Sequence, residues 1–149
     1  MSSTAPTISL EYFPPRTEKG AQGLAAARAE LKLLKPSYVS VTFGAGGSTQ
    51  DGTYATIKSI LEEDGVDAAP HISCISSSRR ELADMLEAYR DLGVKRLVAL
   101  RGDVPSGYGT MDAAELRYAN ELVAFIREQT GDHFHIEVAA YPETHPQAR

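Results

Sequence analysis

Side chains suited to proton transfer and anion binding recur at the ends of five short apolar segments. A carboxyl can deliver a proton, and a guanidinium can hold a diphosphate or a polarised carbonyl. In a parallel α/β fold such strand ends meet at one edge, so these side chains would share a rim. The pattern predicts a functional site there without naming its reaction. The set comprises Glu11, Thr42, His71, Arg101, Asp103, Tyr141 and His145.

Several of these residues also have structural interpretations. Glu11 could be the buried ion-pair partner of Arg16 or Arg101. His71 could be a hydrogen-bonded interior histidine, and Cys74 is expected to pack as a small apolar group. As the chain has one cysteine, no disulfide can form within it.

A glycine-rich segment and two histidine-containing pairs suggest ligand sites only weakly. Segment 44–48 lacks the third glycine of a dinucleotide fingerprint, because Thr49 stands in its place. That segment is predicted to be a turn leading into a helix. The two pairs lack the spacing of a zinc site, so no metal is expected. The pairs are His71 with Cys74 and His133 with His135.

The residues between the polar strand ends predict alternating strands and helices. One helix has a capping box at Ser78 and Glu81, and another is predicted to begin near Asp112 and Glu115 with the same spacing. Apolar stripes are expected on the helices, at 24, 27, 31 and 34 in the first and at 116, 119, 123 and 126 in the fourth. The predicted strands are 8–13, 38–43, 69–75, 96–100 and 134–141.

Alternation of strand and helix predicts a parallel sheet joined by right-handed crossovers. Two architectures fit, a doubly wound open sheet and a β/α barrel. Strand parity favours the barrel, because one strand face is apolar while the other is polar, and a barrel interior with a ligand at its mouth supplies partners for polar groups. The polar positions are Ser9, Glu11, Ser40, Thr42, His71 and Ser73.

Composition narrows the class of protein. The 149 residues carry a formal net charge of -5, which argues against nucleic-acid binding, since that needs a basic face. No segment has the roughly 18 consecutive apolar residues of a membrane helix. With one cysteine and no signal-peptide pattern, we expect a cytoplasmic protein without membrane contact.

Five sequence blocks resemble those of methylenetetrahydrofolate reductases, in family order and with family-like spacing. They are 11–17 (Glu-Tyr-Phe-Pro-Pro-Arg-Thr), 38–45, 69–74, 100–105 and 139–146. The resemblance covers the chain from about Ile8 onward. It implies a TIM-type parallel β/α barrel of eight βα units, of which this sequence holds about five strands. Residues 1–149 would be the N-terminal portion of one catalytic domain, with residues 1–7 flexible.

The resemblance also implies an activity in one-carbon metabolism and methionine biosynthesis. FAD would lie across the carboxyl ends of the strands and be reduced by NADH or NADPH. The nicotinamide would then leave, and 5,10-methylenetetrahydrofolate would take its place and be reduced to 5-methyltetrahydrofolate. A homo-oligomer is expected.

Residue roles follow from the same resemblance. Glu11 would be the general acid that protonates the folate nitrogen, a role needing a carboxyl kept protonated by apolar cover, some of it from Tyr12 and Phe13. Asp103 would favour the cationic folate intermediate, and Thr42 would also touch the nicotinamide. The FAD-binding residues would be Thr42, Phe43, Ala45, His71, Arg101, Gly102, Asp103, Ala119, Tyr141, His145 and Ala148. The sequence departs from the family at 45–47 and in the 106–111 loop, both in loops.

Two rival interpretations remain. Another FAD-dependent barrel oxidoreductase, such as a proline-dehydrogenase-like enzyme, should lack the block at 11–16 that this chain has. A half-barrel without independent activity, serving as an assembly module or an inactive relic, is the second. Flavin binding by the chain distinguishes this relic from either enzyme.

Overall fold

Strands and helices alternate along the part of the chain that the structure describes. The structure is a computed structural model and describes residues 6–43, 48–75, 77–103 and 115–144. The strands in these ranges are β1 (Ser9–Tyr12), β2 (Tyr38–Val41), β3 (Ala68–Ser73), β4 (Arg96–Leu100) and β5 (His135–Val138). The helices are α1 (Glu18–Leu31), α2 (Ser48–Ser59), α3 (Arg79–Asp91) and α4 (Ala119–Thr130). A 3-10 turn, Lys32–Leu34, follows α1, and a π turn, Ile60–Asp64, follows α2.

The strands form one parallel sheet in the order β1-β2-β3-β4-β5. Each crossover therefore advances the chain by one strand in the same direction. Because crossovers between parallel strands are right-handed as a rule, this order places the helices on a common face. A doubly wound sheet would reverse its strand order partway. The order excludes that alternative and confirms the predicted fold class, a partial TIM-type barrel. The sheet is not closed, so β1 and β5 are its two edges.

A contact across the sheet shows how strongly it curves. The Tyr38 hydroxyl on β2 donates a hydrogen bond of 2.9 Å to Oε2 of Glu137 on β5. In a flat sheet these strands would lie about 14 Å apart, since neighbouring strands are spaced by about 4.8 Å. The two side chains meet because the sheet curls toward the face that carries them, as a barrel wall does.

The hydrophobic core lies between the sheet and the helices. Val39, Val41 and Ile72 project toward it from alternate strand positions and are at most 2% exposed. The helices cover them with side chains at the spacing of one helix face. The fully buried helical contributors are Ile57, Leu82, Leu86, Tyr89, Leu122 and Ile126.

Helix α3 begins and ends as predicted. The Ser78 side chain accepts from the Glu81 N–H, and the Glu81 carboxylate accepts from the Ser78 N–H at 2.7 Å, which completes the capping box. Gly93 follows the helix with a φ of +87°, a left-handed conformation that glycine adopts without strain.

Helix α4 differs from the prediction. It begins at Ala119, while Asp112 lies outside the described residues. The Glu121 carboxylate accepts from the N–H of Tyr118, the N-cap residue, and from that of Arg117 before it. Glu115 instead accepts from the N–H of Arg79 at 3.0 Å. The later start shifts the buried face, which consists of Leu122, Phe125 and Ile126.

The predicted stripe of α1 is correct only in part. Leu24 and Leu31 pack against the core, whereas Leu34 is 51% exposed because the chain tightens into a 3-10 turn after Leu31. Ala27 is exposed, and the next residue, Arg28, is buried instead. The inward position of Arg28 is explained by the hydrogen bond that its Nε donates to Oδ2 of Asp64.

Candidate active site

Polar side chains line the concave face of the sheet, opposite the helices. The strand registers put Glu11 beside Ser40 and His71 beside Val98 on this face. The face encloses an open cavity of about 370 Å³, within the size range of small-molecule sites. The predicted polar strand face is therefore confirmed. The cavity is lined by Ser9, Leu10, Glu11, Tyr38, Ser40, His71, Val98, Leu100, Glu137, Val138 and Ala139.

Glu11 projects into this cavity from β1 and is held through one oxygen. Its Oε2 accepts from the Ser40 hydroxyl at 3.2 Å and lies 3.2 Å from Nε2 of His71. Half of the Glu11 side chain remains exposed. These contacts take the place of the ion pair with Arg16 or Arg101 that the sequence left open.

Apolar cover of Glu11 by its chain neighbours is a wrong prediction. Tyr12 projects to the opposite face of β1 and is buried in the core, because successive strand residues point to opposite sides. Phe13 follows the strand and is 72% exposed. Within the described chain, Glu11 therefore faces an open cavity with polar neighbours.

His71 is buried beside Glu11. The residue is 8% exposed, and burial lowers the pKa of its imidazole below the ordinary value of 6.5. The carboxylates of Glu11 and Glu137 oppose this effect without reversing it. The ring is therefore neutral at pH 7, and it can donate only one N–H.

The carboxyl end of β4 is fixed by hydrogen bonds to one carbonyl. The Arg101 carbonyl accepts from the Ser73 hydroxyl at 3.0 Å and from the Ile75 N–H at 3.1 Å. The Cys74 thiol lies 3.5 Å from the same oxygen, and burial raises the pKa of that thiol. The Arg101 side chain turns toward its neighbour, with Nε donating to the Gly102 carbonyl at 3.2 Å.

A residue with a side chain could replace Gly102 only if neighbouring atoms moved. Its φ is +84°, and a Cβ atom placed on it would lie 1.9 Å from Oγ of Ser73. The absence of a side chain thus lets β3 and β4 approach closely at the rim.

Thr42 is held by its backbone at the end of β2. Its N–H donates to the Tyr12 carbonyl at 3.0 Å, and its carbonyl accepts from the Thr53 hydroxyl of α2 at 3.0 Å. Thr53 is fully buried. The hydrogen bond from α2 therefore fixes the position of the carboxyl end of β2. Thr42 and Phe43 are half-buried there.

The remaining predicted site residues lie beyond the strands or outside the described ranges. Asp103 is exposed, and no residue in the described ranges holds its side chain by a hydrogen bond. Tyr141 follows β5 and is 57% exposed, and Ala119 is the first residue of α4. Three predicted residues lie outside the described residues, namely Ala45, His145 and Ala148.

A second polar cluster lies at the amino end of the same face and was not predicted from the sequence. Glu137 accepts from Tyr38 at 2.9 Å and from Nη1 of Arg96 at 2.6 Å, and the Arg96 guanidinium lies 4.4 Å from the Tyr38 ring centre. Strand parity could have found it, because Tyr38 precedes Ser40 by two residues on the same face. The curvature that brings β5 to β2 has no signal in the sequence.

The described ranges contain neither a metal-binding cluster nor a membrane-spanning helix. They hold no cluster of three or more His, Cys, Asp or Glu side chains arranged to bind a metal ion. None of their helices combines the length and apolar character that crossing a membrane requires.

Comparison with known proteins places the sequence beside one family of enzymes. A family model described as methylenetetrahydrofolate reductase matches residues 1–149. The chain is 44% identical over 142 residues to a 5,10-methylenetetrahydrofolate reductase of Pectobacterium carotovorum and 42% identical to that of Escherichia coli K12. Each alignment covers 95% of this chain and 46% of the relative. A Zea mays protein named methylenetetrahydrofolate reductase (NADH) 1 is 37% identical, with 24% of its length covered.

The chain thus spans about half the length of the bacterial relatives it matches. Its family match extends over every strand of the sheet and includes both the Glu11 and the Arg101 segments. The chain belongs to the methylenetetrahydrofolate reductase family.

Proposed function

We propose that these residues form part of an enzyme that reduces 5,10-methylenetetrahydrofolate to 5-methyltetrahydrofolate, with FAD as cofactor and NADH or NADPH as reductant. The observation that carries the proposal is the position of Glu11 in the concave cavity, where no guanidinium of the described residues neutralises it. A carboxyl placed this way can deliver a proton to a ligand in the cavity. The family membership supplies the substrate class.

Glu11 is the proposed general acid. Its proton passes to the folate nitrogen that carries the one-carbon bridge, and opening of the bridge leaves an iminium that accepts hydride. Asp103, an exposed carboxylate at the β4 end, stabilises this positive charge electrostatically. FAD, when bound, supplies the hydride.

The described rim fits a flavin in two respects. The Arg101 side chain provides a cationic group at the β4 end, suited to a diphosphate or a flavin carbonyl. Gly102 leaves the β4 end without a side chain, so a planar ring could approach the backbone there. The proposed FAD-binding residues are Thr42, Phe43, Ala45, His71, Arg101, Gly102, Asp103, Ala119, Tyr141, His145 and Ala148, with Thr42 also contacting the nicotinamide.

Because the chain covers about half of its bacterial relatives, the complete reaction is proposed for the whole protein. A cytoplasmic homo-oligomer fits this proposal. The open sheet favours one alternative for these 149 residues alone, a half-barrel that folds and assembles without independent activity.

Flavin binding by the chain tests the proposal. The chain would be incubated with FAD, gel-filtered and examined by visible absorbance, with the Arg101→Met variant alongside. A retained flavin band that weakens in Arg101→Met is expected if five strands suffice for the site. No retained flavin would favour the inactive half-barrel for this chain.

A further inference from the structure

Both neighbours of the Glu11 carboxylate contact the same oxygen. Ser40 Oγ and His71 Nε2 each lie 3.2 Å from Oε2. Oε1 has no such contact with any residue in the described ranges. The two carboxylate oxygens are therefore inequivalent, with one held by β2 and β3 and the other left to the cavity.

The hydrogen bonding of His71 Nε2 depends on Glu11. Nε2 is buried from solvent and has no well-aligned hydrogen-bond partner in the described residues. A buried polar nitrogen without a partner is costly, so such groups are almost always satisfied. Oε2 of Glu11 lies 3.2 Å from this nitrogen, and a small rotation of the half-exposed Glu11 side chain would align the pair.

We propose that His71, neutral and protonated on Nε2, is the positioning residue of Glu11, holding Oε2 so that Oε1 faces the cavity and carries the transferred proton. This inference rests on the proposed role of Glu11 as the acid. Before transfer, Oε2 is the carbonyl oxygen of a protonated carboxyl and accepts from His71 and Ser40. After Oε1 gives its proton to the folate nitrogen, the same two donors stabilise the carboxylate. No proton leaves His71 at any stage.

The surroundings of His71 favour this protonation state. Burial disfavours the imidazolium, while Glu11 from β1 and Glu137 from β5 favour it less strongly. The charge of Glu137 is itself engaged by Arg96 from β4 and by the Tyr38 hydroxyl from β2. Beside the ring on β4 lies Val98, an apolar neighbour.

The tautomer and its coupling to Glu11 can be measured by NMR on the 149-residue chain without flavin or folate. Long-range 15N–1H correlation of the imidazole at pH 7.5 should show the proton on Nε2 of His71. In Glu11→Gln, which keeps a carbonyl oxygen for both donors, the titration midpoint of His71 should fall, because the ligand-free chain loses the Glu11 carboxylate whose charge favours the imidazolium. Glu137→Gln, the matched control, should lower the midpoint less.

Two results would overturn the inference. One is a neutral His71 with its proton on Nδ1, because Nε2 could then not donate to Glu11. The other is an unchanged His71 midpoint in Glu11→Gln, with an amide spectrum showing an intact fold. Neither readout needs bound flavin, so a chain that fails the flavin-binding test still decides the tautomer.

Discussion

Glu11 and Tyr12 are adjacent in the chain but have different surroundings, because their side chains lie on opposite faces of β1. Tyr12 is buried in the core, where burial, the chief cause, raises the pKa of its phenol. Glu11 stands in the concave cavity with its side chain half exposed. The chemistry of the site therefore depends on a register in which a shift of one residue would exchange the two side chains.

Replacement of Glu11 by Gln tests its role as the acid in the flavin-loaded whole protein. The amide keeps an oxygen for Ser40 and His71 but cannot deliver a carboxyl proton. We expect flavin reduction by nicotinamide to stay within about twofold, while folate reduction slows by about 100-fold or more. Stopped-flow absorbance of the flavin measures each half-reaction. Glu30→Gln, on the exposed surface of α1, is the control, and equal loss of both half-reactions would refute the assignment.

Gly102 allows a second test at the scale of one residue. Gly102→Ala should lower the free energy of unfolding by about 2 kcal/mol or more, because both the positive φ and the contact with Ser73 oppose a Cβ. Urea denaturation measures the effect. In the double variant with Ser73→Ala, part of the loss should return, since only the contact is relieved.

Gly23→Ala is the matched control for that change. Gly23 lies within α1, and a Cβ there would meet nothing within 4 Å. This substitution should stabilise the chain by about 0.5–1 kcal/mol. If Gly102→Ala behaved like Gly23→Ala, the close approach of β3 and β4 would not exist in solution.

The sequence could predict which residues reach the rim but not how they pair. Alternation placed Glu11, Ser40 and His71 on the polar face, and that was confirmed. The contact of Glu11 with His71 depends on the strand register and the sheet curvature, which arise from packing of the whole sheet. Arg16 and Arg101 were equally reasonable partners by charge alone.

At the scale of elements, a buried arginine joins α1 to the turn that follows α2. Arg28 is 6% exposed, and its Nε donates to Oδ2 of Asp64 at 2.6 Å. Its Nη1 donates to the Ser59 hydroxyl at 2.8 Å, and Nη2 lies 3.6 Å from the more exposed Glu63. The fork geometry of a guanidinium suits this arrangement, in which one side chain contacts Ser59 at the end of α2 and two carboxylates of the turn.

Arg28→Met should therefore destabilise the chain, even though methionine has a side chain of similar length that can be buried. We expect the free energy of unfolding to fall by about 2–3 kcal/mol, because Asp64 keeps a mostly buried charge without its partner. Lys58→Met removes an exposed pair with Glu62, 3.9 Å apart, and should cost less than about 0.5 kcal/mol. Equal urea midpoints for the two variants would contradict the bracing role of Arg28.

The capping box of α3 gives a prediction with a pH dependence. Ser78→Ala should destabilise the chain by about 1 kcal/mol at pH 7, because the cap to the Glu81 N–H is lost. Hydrogen bonds from the Ser78 backbone and side chain lower the pKa of Glu81 below its ordinary value of 4.5.

The sign of the pH effect follows from that direction. A carboxyl whose pKa is lower in the folded state contributes stability above its unfolded pKa, and the contribution disappears as the pH falls through the folded value. The difference between wild type and Ser78→Ala should therefore shrink below about pH 4.5. Thermal unfolding followed by circular dichroism at several pH values measures this, and a constant difference from pH 7 to 3 would contradict it.

The contrast between α3 and α4 shows which element boundaries a sequence reveals. The start of α3 was predicted because Ser78 and Glu81 form a recognisable box. The start of α4 was not, because its N-cap position holds Tyr118 rather than Ser, Thr, Asp or Asn. The Glu121 carboxylate accepts from the N–H groups of Arg117 and Tyr118 instead. Asp112 and Glu115 have the spacing of a capping box, and the sequence therefore predicted the helix start at the wrong place.

At the scale of the whole molecule, the fold class followed from the alternation of elements and from strand parity. Sequential parallel order confirmed it, and the Tyr38–Glu137 contact shows barrel-like curvature already in five strands. Closure could not be judged from periodicity, because each βα unit has the same pattern whether or not its sheet closes. The open sheet leaves outward-facing backbone groups along β1 and β5.

These edges predict self-association of the 149-residue chain. The His135 N–H donates to the Lys95 carbonyl, so by alternation the N–H of Val138 faces away from β4, at the open edge. Among the described strands, none pairs with this edge, and such an edge pairs readily with another strand. Sedimentation velocity should show oligomers that increase with concentration, and Val138→Pro should shift the chain toward monomer by removing an outward donor while sparing the β4–β5 ladder.

Val138→Thr is the matched control, because it keeps both the N–H and the β-branched shape. It should associate as wild type does. Association that persists equally in Val138→Pro would place the contact elsewhere, and a wild-type chain that stays monomeric at every concentration would show that the edges are protected in solution. A monomer that also bound flavin would mean that neither edge needs a partner strand to shape the rim around Glu11 and Arg101.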